Sequence, residues 1–351
     1  MRRVALVSGG VLAFVVAGGI LNFTDATPVA TFLVTGIALG GVAWTIGIAT
    51  ESVGARYGPA VTGALQSTLG NLPELFIVLF ALSAGELVVA QFSILGSIFA
   101  NALLVLGLAV GVGAFRAPDG VMRFQPKLPN DTATLLLLAV FIIALLGASD
   151  LAGDAASDNQ VAISVVGAIL LLAVYGAWLF AYLRAEVRSE PALEEPAHEV
   201  LPFGFSVGLL AGSGVAAALV SEWFVHAIDP AVQELGISKA FTGLVIVAIA
   251  GNAVENVVAV QLAAKRKYDL AVSVVKNSVV QIACFLWPVL VLASLLFSQQ
   301  LTFVVAPVFV GALVLMAIAV WQITGDGEAA FFEGAALVGL YVVLATIVWF
   351  E

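Results

Sequence analysis

Two glutamates, Glu74 in LGNLPE and Glu255 in AGNAVE, occupy the same Gly-Asn-x-x-Glu frame 181 residues apart, each inside a run of apolar residues. An ionised carboxylate at mid-membrane costs at least ~2.5 kcal/mol, so such a residue marks a functional site by default. Two of them facing each other cannot both stay charged unless a cation or protons compensate. A hard divalent ion such as Ca2+ takes about six to eight oxygen ligands, with carboxylates, amide oxygens and backbone carbonyls all suitable. The two frames offer Glu74, Glu255, Asn71 and Asn252, with carbonyls freed around Gly70 and Gly251. Mg2+ holds its water too firmly for a dehydrated protein cage, and softer metals lack the Cys or His they prefer near either motif. When the ion leaves, protons on the same carboxylates neutralise the empty site. That competition is the chemistry of ion–proton exchange.

The elements that must hold these groups are membrane helices. Eleven apolar windows are expected to span, at roughly 4–22, 28–52, 60–84, 86–112, 131–148, 159–184, 200–222, 239–264, 269–297, 301–323 and 331–350. The first is read as a retained helix rather than a cleaved signal, because it runs long and shows no small-residue cleavage site. Window three reaches Glu74 about 20 Å along at about 1.5 Å per residue, near the middle of a core about 30 Å thick. Glu255 is at a similar depth in window eight. Gly70, Asn71 and Pro73 all disfavour a regular helix there.

A small-polar helix follows each motif helix, with Ser97 and Asn101 in the first copy and Ser278 and Gln281 in the second. These residues either line an ion path or bond helix to helix. Lys276, about two turns from the cytoplasmic end of window nine, is expected to snorkel outward. Glu51, ending window two, and Glu222, ending window seven, occupy matching positions. They are candidates for proton handling or a gate, or are interfacial carboxylates facing water.

The composition agrees with a membrane protein: 62% of the 351 residues are hydrophobic, only 10% are charged, and the mean hydropathy is +1.13. The period-2 alternation of a β-barrel is absent. A net charge of -10 argues against nucleic acid as a partner. The single cysteine, Cys284, excludes an intrachain disulfide. His198 and His226 lack the companion ligands of a transition-metal site. Of the thirteen Lys and Arg residues, eleven fall in loops on one side, Lys239 alone on the other, and Lys276 within a window. The positive-inside rule then makes the N-terminus cytoplasmic and the C-terminus external, and the short loops suit a prokaryotic plasma membrane.

Five windows separate the two motif helices, and an odd separation reverses the direction of crossing. Windows two to six and seven to eleven should therefore form an inverted-topology repeat, the arrangement in which transporters hold substrate at the repeat interface. The expected organisation is an accessory helix over 1–27, a first five-helix repeat over 28–184, an acidic cytoplasmic linker over 185–199, and a second repeat over 200–351. The linker, AEVRSEPALEEPAHE, has five glutamates and two prolines, and reads as a solvated connector.

The stretches ATES…GALQSTLGNLPELFIVLFAL…VVAQFSILGSIFANALLVLG and VSEW…FTGLVIVAIAGNAVENVVAVQLAAKRKYDLAVSVVKNSVVQIACFLWPVL resemble the cation/proton exchangers, the Ca2+/H+ antiporters of the calcium/cation antiporter superfamily. The resemblance implies Ca2+ coordination by Glu74 and Glu255 with Asn71 and Asn252 beside them, proton handling at Glu51 and Glu222, no resident cofactor and no enzymatic activity. The chain departs from that family's pattern at Asn256 and at Lys276-Asn277. The resemblance implies export of cytoplasmic Ca2+ against H+; Pro73, closer to the sodium/calcium exchanger branch, keeps Na+ as the alternative counter-ion. A Ca2+-permeable channel, with the acidic pair as filter, is the rival from another class.

Overall fold

The structure, a computed structural model, describes residues 2–24, 26–54, 69–188 and 201–350. It is built almost wholly of helices, because in hydrocarbon each backbone N–H and C=O must be satisfied within its own segment. In chain order these are α1 (Arg2–Phe23), α2 (Pro28–Gly54), α3 (Leu72–Ser83), α4 (Leu87–Arg116), α5 (Lys127–Ala152), α6 (Gln160–Arg188) and α7 (Phe203–Leu235). There follow α8 (Lys239–Gly251), α9 (Ala253–Ala264), α10 (Tyr268–Ser294), α11 (Pro307–Thr324) and α12 (Phe331–Trp349). Two short strands, β1 (Val121–Arg123) and β2 (Glu328–Ala330), pair antiparallel.

The expected count of eleven spans is not confirmed. Nine helices among the described residues are long and apolar enough to cross, and α8 with α9, bent by 58° at their junction, makes a tenth. Of window three only the part containing α3 is described, and α3 has 12 residues. Residues 55–68 lie outside the described residues, as does the linker from 189 onward, while α6 carries its helix on to Arg188.

Window seven also runs further than expected. Beyond Glu222 the sequence keeps apolar residues at helical spacing, and Phe224, Val225, Ile228, Ala231 and Val232 are buried. The helix tolerates Pro230 and stops only at Gly236, whose left-handed φ of 66° closes its C-terminus. His226, which falls between windows seven and eight, is an exposed residue of α7.

Hydrogen bonds between connections sort them onto two faces. On one face β1 pairs with β2, and the Gln125 amide donates to Asp269 at 2.6 Å, which ties the α4–α5, α9–α10 and α11–α12 connections together. Arg123 bridges Glu328 at 3.0 Å and Asp119 at 2.6 Å, and its guanidinium holds the Asp119 carboxyl below the usual carboxylate range. The Leu201 amide reaches Ser52 at 3.3 Å, joining the end of α2 to the start of α7. This is the Lys- and Arg-rich face of the sequence.

On the opposite face Lys239 bridges Glu86 at 2.7 Å and Asp229 at 2.5 Å, and Ser238 donates to the Val348 carbonyl at 3.1 Å. The α10–α11 connection is tied there too, by Gln91 donating to the Val304 carbonyl and the Phe303 amide donating to Ser164. Since α3 ends and α8 begins at this face, the two motif helices run in opposite directions, as an inverted repeat requires.

The two polar helices form the centre. In the most apolar windows of α4 and α10, 72% of residues are buried, against 11% in α1, which packs on α2 and α7 at the periphery. Close approach of α4 to the α8 segment depends on two glycines. A Cβ on Gly96 would collide with the Leu244 backbone, and one on Gly243 would sit 2.9 Å from the Phe92 Cβ.

Candidate cation site at the repeat interface

Each motif breaks its helix at the asparagine. Asn71, between Gly70 and the start of α3, has φ -91° and ψ 15°; Asn252, between α8 and α9, has φ -100° and ψ 21°. These near-identical departures from helical geometry place Glu74 and Glu255 alike in the first turn of the following helix, where the positive end of the helix dipole favours a carboxylate. Pro73 fits there without loss, because a first-turn N–H has no intrahelical acceptor anyway.

Glu74 is 3% exposed and reaches across the interface into the second copy. Its Oε1 accepts from the Ser97 hydroxyl and from Asn252 Nδ2 at 2.6 Å. Asn252 Nδ2 also lies 2.8 Å from Ser97 Oγ, and its Oδ1 accepts from Asn101 Nδ2 at 2.7 Å. Asn101 Nδ2 is in turn 3.0 Å from the Ser97 carbonyl. A Cβ on Gly251 would lie 2.9 Å from the Glu74 Cγ, so the missing side chain there makes room for the glutamate. Two buried oxygens of this cluster, Glu74 Oε2 and Asn101 Oδ1, have no hydrogen-bond partner.

The second copy contributes differently. Glu255 is half-buried in the first turn of α9. Asn71, Ser278 and Gln281 are buried, and the Ser278 hydroxyl has no partner. Gly70 is half-buried in the turn before Asn71. The first copy's serine and asparagine therefore join Glu74 and Asn252 in one network, while Asn71, Ser278 and Gln281 remain outside it. Among the described residues no three His, Cys, Asp or Glu side chains cluster, so further ligands of a cation held here would be neutral oxygens.

Glu51 and Glu222 do not join the network. Both are half-buried, but Glu51 lies three residues from the end of α2 whereas α7 continues thirteen residues past Glu222. The matching helix-end placement is thus corrected. Ser221, beside Glu222, directs its hydroxyl at the Pro73 carbonyl at 3.5 Å, which sets this part of α7 against the first motif.

Lys276 corrects a second expectation. It does not snorkel: it is 2% exposed, and its Nζ meets the Thr324 hydroxyl at 3.4 Å. The side chain faces α5 and α11, which cover it, so no path along lipid is open to the amine.

A feature the sequence did not signal is a π-helical turn after each polar stretch, Ala100–Val105 in α4 and Ile282–Leu286 in α10, in nearly the same register of the repeat. Such widened turns recur at functional sites. Apart from Asn101, which belongs to the network, the residues in them are ordinary apolar helix formers, and no residue type encodes the extra hydrogen-bond spacing.

Comparison with known proteins identifies the family and the fold. The family described as "Sodium/calcium exchanger protein" matches residues 27–184 and 205–350. The chain is 32% identical to the Ca2+/H+ antiporter ChaA of Bacillus subtilis over 345 residues, covering 97% of this chain and 96% of the relative. It is 30% identical to a Ca2+/H+ antiporter of Aphanothece halophytica over 359 residues, covering 97% and 96%. Among solved structures it superposes on native YfkE with a TM-score of 0.82 at 28% identity, over 99% of both chains. On the H+/Ca2+ exchanger CAX the TM-score is 0.80 at 16% identity, over 98% of this chain and 88% of that one, a likeness of fold. The chain belongs to the sodium/calcium exchanger family, among its cation/proton exchanger members.

Proposed function

We propose that the protein is a secondary-active antiporter that exports cytoplasmic Ca2+ in exchange for H+ by alternating access, with Glu74 and Glu255 as the shared carrier of cation and protons. The observation that carries this reading is the buried Glu74 network. One carboxylate oxygen is held by Ser97 and Asn252 and the other has no partner, while the oppositely directed repeat carries its own glutamate, Glu255, in the first turn of its motif helix. An unpartnered buried carboxylate oxygen is satisfied either by a cation or by becoming an O–H. Ca2+ on both glutamates, or a proton on each, leaves the pair neutral, so either load crosses the apolar interior at lower cost than the empty dianion. The relatives named as Ca2+/H+ antiporters support H+ over Na+ as the counter-ion.

The test is radioactive Ca2+ uptake into inside-out vesicles with an acidic lumen, with and without a proton ionophore, beside Na+-loaded vesicles. Uptake should collapse with the ionophore. Glu255→Gln should abolish uptake while the protein remains folded and inserted. Uptake driven only by luminal Na+ would reassign the counter-ion, and uptake indifferent to both gradients would mean a channel.

A further inference from the structure

Lys276 is a buried base that the Glu74–Glu255 chemistry does not use. It lies on α10 at the position matching Leu95 of α4 in the first repeat, so an amine stands where the other half has an apolar side chain. Its pocket is formed by Ala102 and Leu106 of α4, Thr132 and Leu136 of α5, Val320 of α11 and α10 itself, and is too tight to admit water. None of these residues is titratable. The charged residues of the same helices, Arg116 on α4, Lys127, Asp131 and Asp150 on α5, and Asp269 on α10, are outside the pocket, and α11 carries none.

The polar surroundings are correspondingly sparse. An ammonium has three hydrogens to donate. Here it finds one acceptor, Thr324 Oγ1 at 3.4 Å, whose own hydrogen is given to the Val320 carbonyl at 2.7 Å. Thr132 in the same wall directs its hydroxyl to the Leu128 and Pro129 carbonyls. Among the described residues no carboxylate pairs with Lys276. A bare ammonium in a dry pocket with one long hydrogen bond is the costly form, and a neutral amine suits it.

Thr324 is the last residue of α11, next to the turn into β2, and Lys276 is eight residues into α10. The short route from water to the amine is therefore from the Lys- and Arg-rich face. Water can reach the nitrogen from there only if the Thr324 contact is broken.

We propose that Lys276 is a proton-binding site distinct from the glutamate pair, loaded and unloaded from the Lys- and Arg-rich face. When the pocket opens, the amine lone pair takes a proton from water to form the ammonium. The proton must return to water on that same face, restoring the lone pair, before the pocket can reseal. No proton crosses the membrane by this route, so Lys276 leaves the H+ to Ca2+ ratio unchanged and makes resealing slower as pH on that face falls. This rests on the alternating-access reading above.

The experiment uses oriented proteoliposomes of the full chain, with pH varied on the Lys- and Arg-rich face and held constant on the other. The wild-type Ca2+ transport rate should fall toward a limit of about tenfold per pH unit below a midpoint. Lys276→Met, which fills the pocket with an apolar chain, should lose this limb and keep the wild-type H+ to Ca2+ ratio. Independently, reductive methylation of the wild type followed by mass spectrometry should modify Lys276 when this face is open and spare it when the protein is locked closed. Coincident rate profiles for wild type and Lys276→Met, a changed ion ratio in the variant, or equal methylation in both states would overturn the proposal. If Lys276→Met does not fold, the wild-type methylation alone decides. A wild type that fails to exchange Ca2+ for H+ sinks the function proposed above, whereas one that exchanges with an unshifted variant profile sinks only this inference.

Discussion

Asn252 is the residue on which the two repeats meet. Its amide nitrogen serves Glu74 and Ser97 of the first repeat while its oxygen is held by Asn101, so one side chain orients the glutamate and is itself oriented from across the interface. Replacing it with Leu keeps the approximate volume and removes every one of these bonds. A hydrogen bond to a charged group is worth about 1.5–3 kcal/mol, a factor of roughly 10–150 in affinity. Asn252→Leu should therefore raise the half-saturating Ca2+ concentration by at least about tenfold, measured by initial uptake rates across a Ca2+ series. An unchanged value would remove Asn252 from the site. The sequence offered Asn252 and Glu74 as members of separate copies of one motif. That they bond to each other, and that Asn101 rather than Gln281 completes the cluster, depends on which helix faces cross and was not legible in either motif.

At the scale of the element, the breaks were readable and the packing was not. Gly70, Asn71 and Pro73 announce an interrupted helix, and the structure resumes its helix at Leu72 with Pro73 in the first turn. Gly96, by contrast, looks like any small residue in a polar helix until α8 is laid against it and the Leu244 backbone occupies the space of its Cβ. Inserting bulk into a packed interface costs about 1–3 kcal/mol or more, and for a large chain each kcal/mol lowers the Tm by about 2–4 °C. Gly96→Leu should accordingly lower the Tm of the detergent-solubilised protein by several degrees. Gly9→Leu on the peripheral α1, where nothing lies within 4 Å of the added Cβ, should leave it unchanged. Equal effects of the two would mean that α4 and α8 do not approach at Gly96. The early end set for window seven has a similar cause. Glu222 reads as a boundary charge in sequence, and the packing of α7 along α2 shows that the apolar spacing beyond it continues the helix.

For the molecule as a whole, exchange by alternating access requires one face to open while the other is shut. The Lys239 bridge to Glu86 and Asp229 joins the ends of α3 and α7 to the start of α8, across the boundary between the repeats, on the face opposite the β1–β2 ribbon. Cys284 is the only cysteine and is 1% exposed, so a chain carrying Glu86→Cys and Lys239→Cys presents one reactive pair. A short bifunctional thiol reagent across that pair should halt Ca2+ exchange, and reductant should restore it. Full cross-linking without loss of exchange would show that this face does not part there. The sequence by itself determined the membrane class, the duplicated Gly-Asn-x-x-Glu frame and the sorting of basic residues to one side. Hydropathy, helix-breaking residues and charge are local properties that survive without knowledge of neighbours. Only the tertiary structure decided that Glu74 is gripped by Ser97 and Asn252 while Glu255 is not, and that Lys276 is sealed in rather than reaching water. Those outcomes depend on which side chains different helices bring together, contacts set by packing across separations of 23 to 178 residues that no local pattern records.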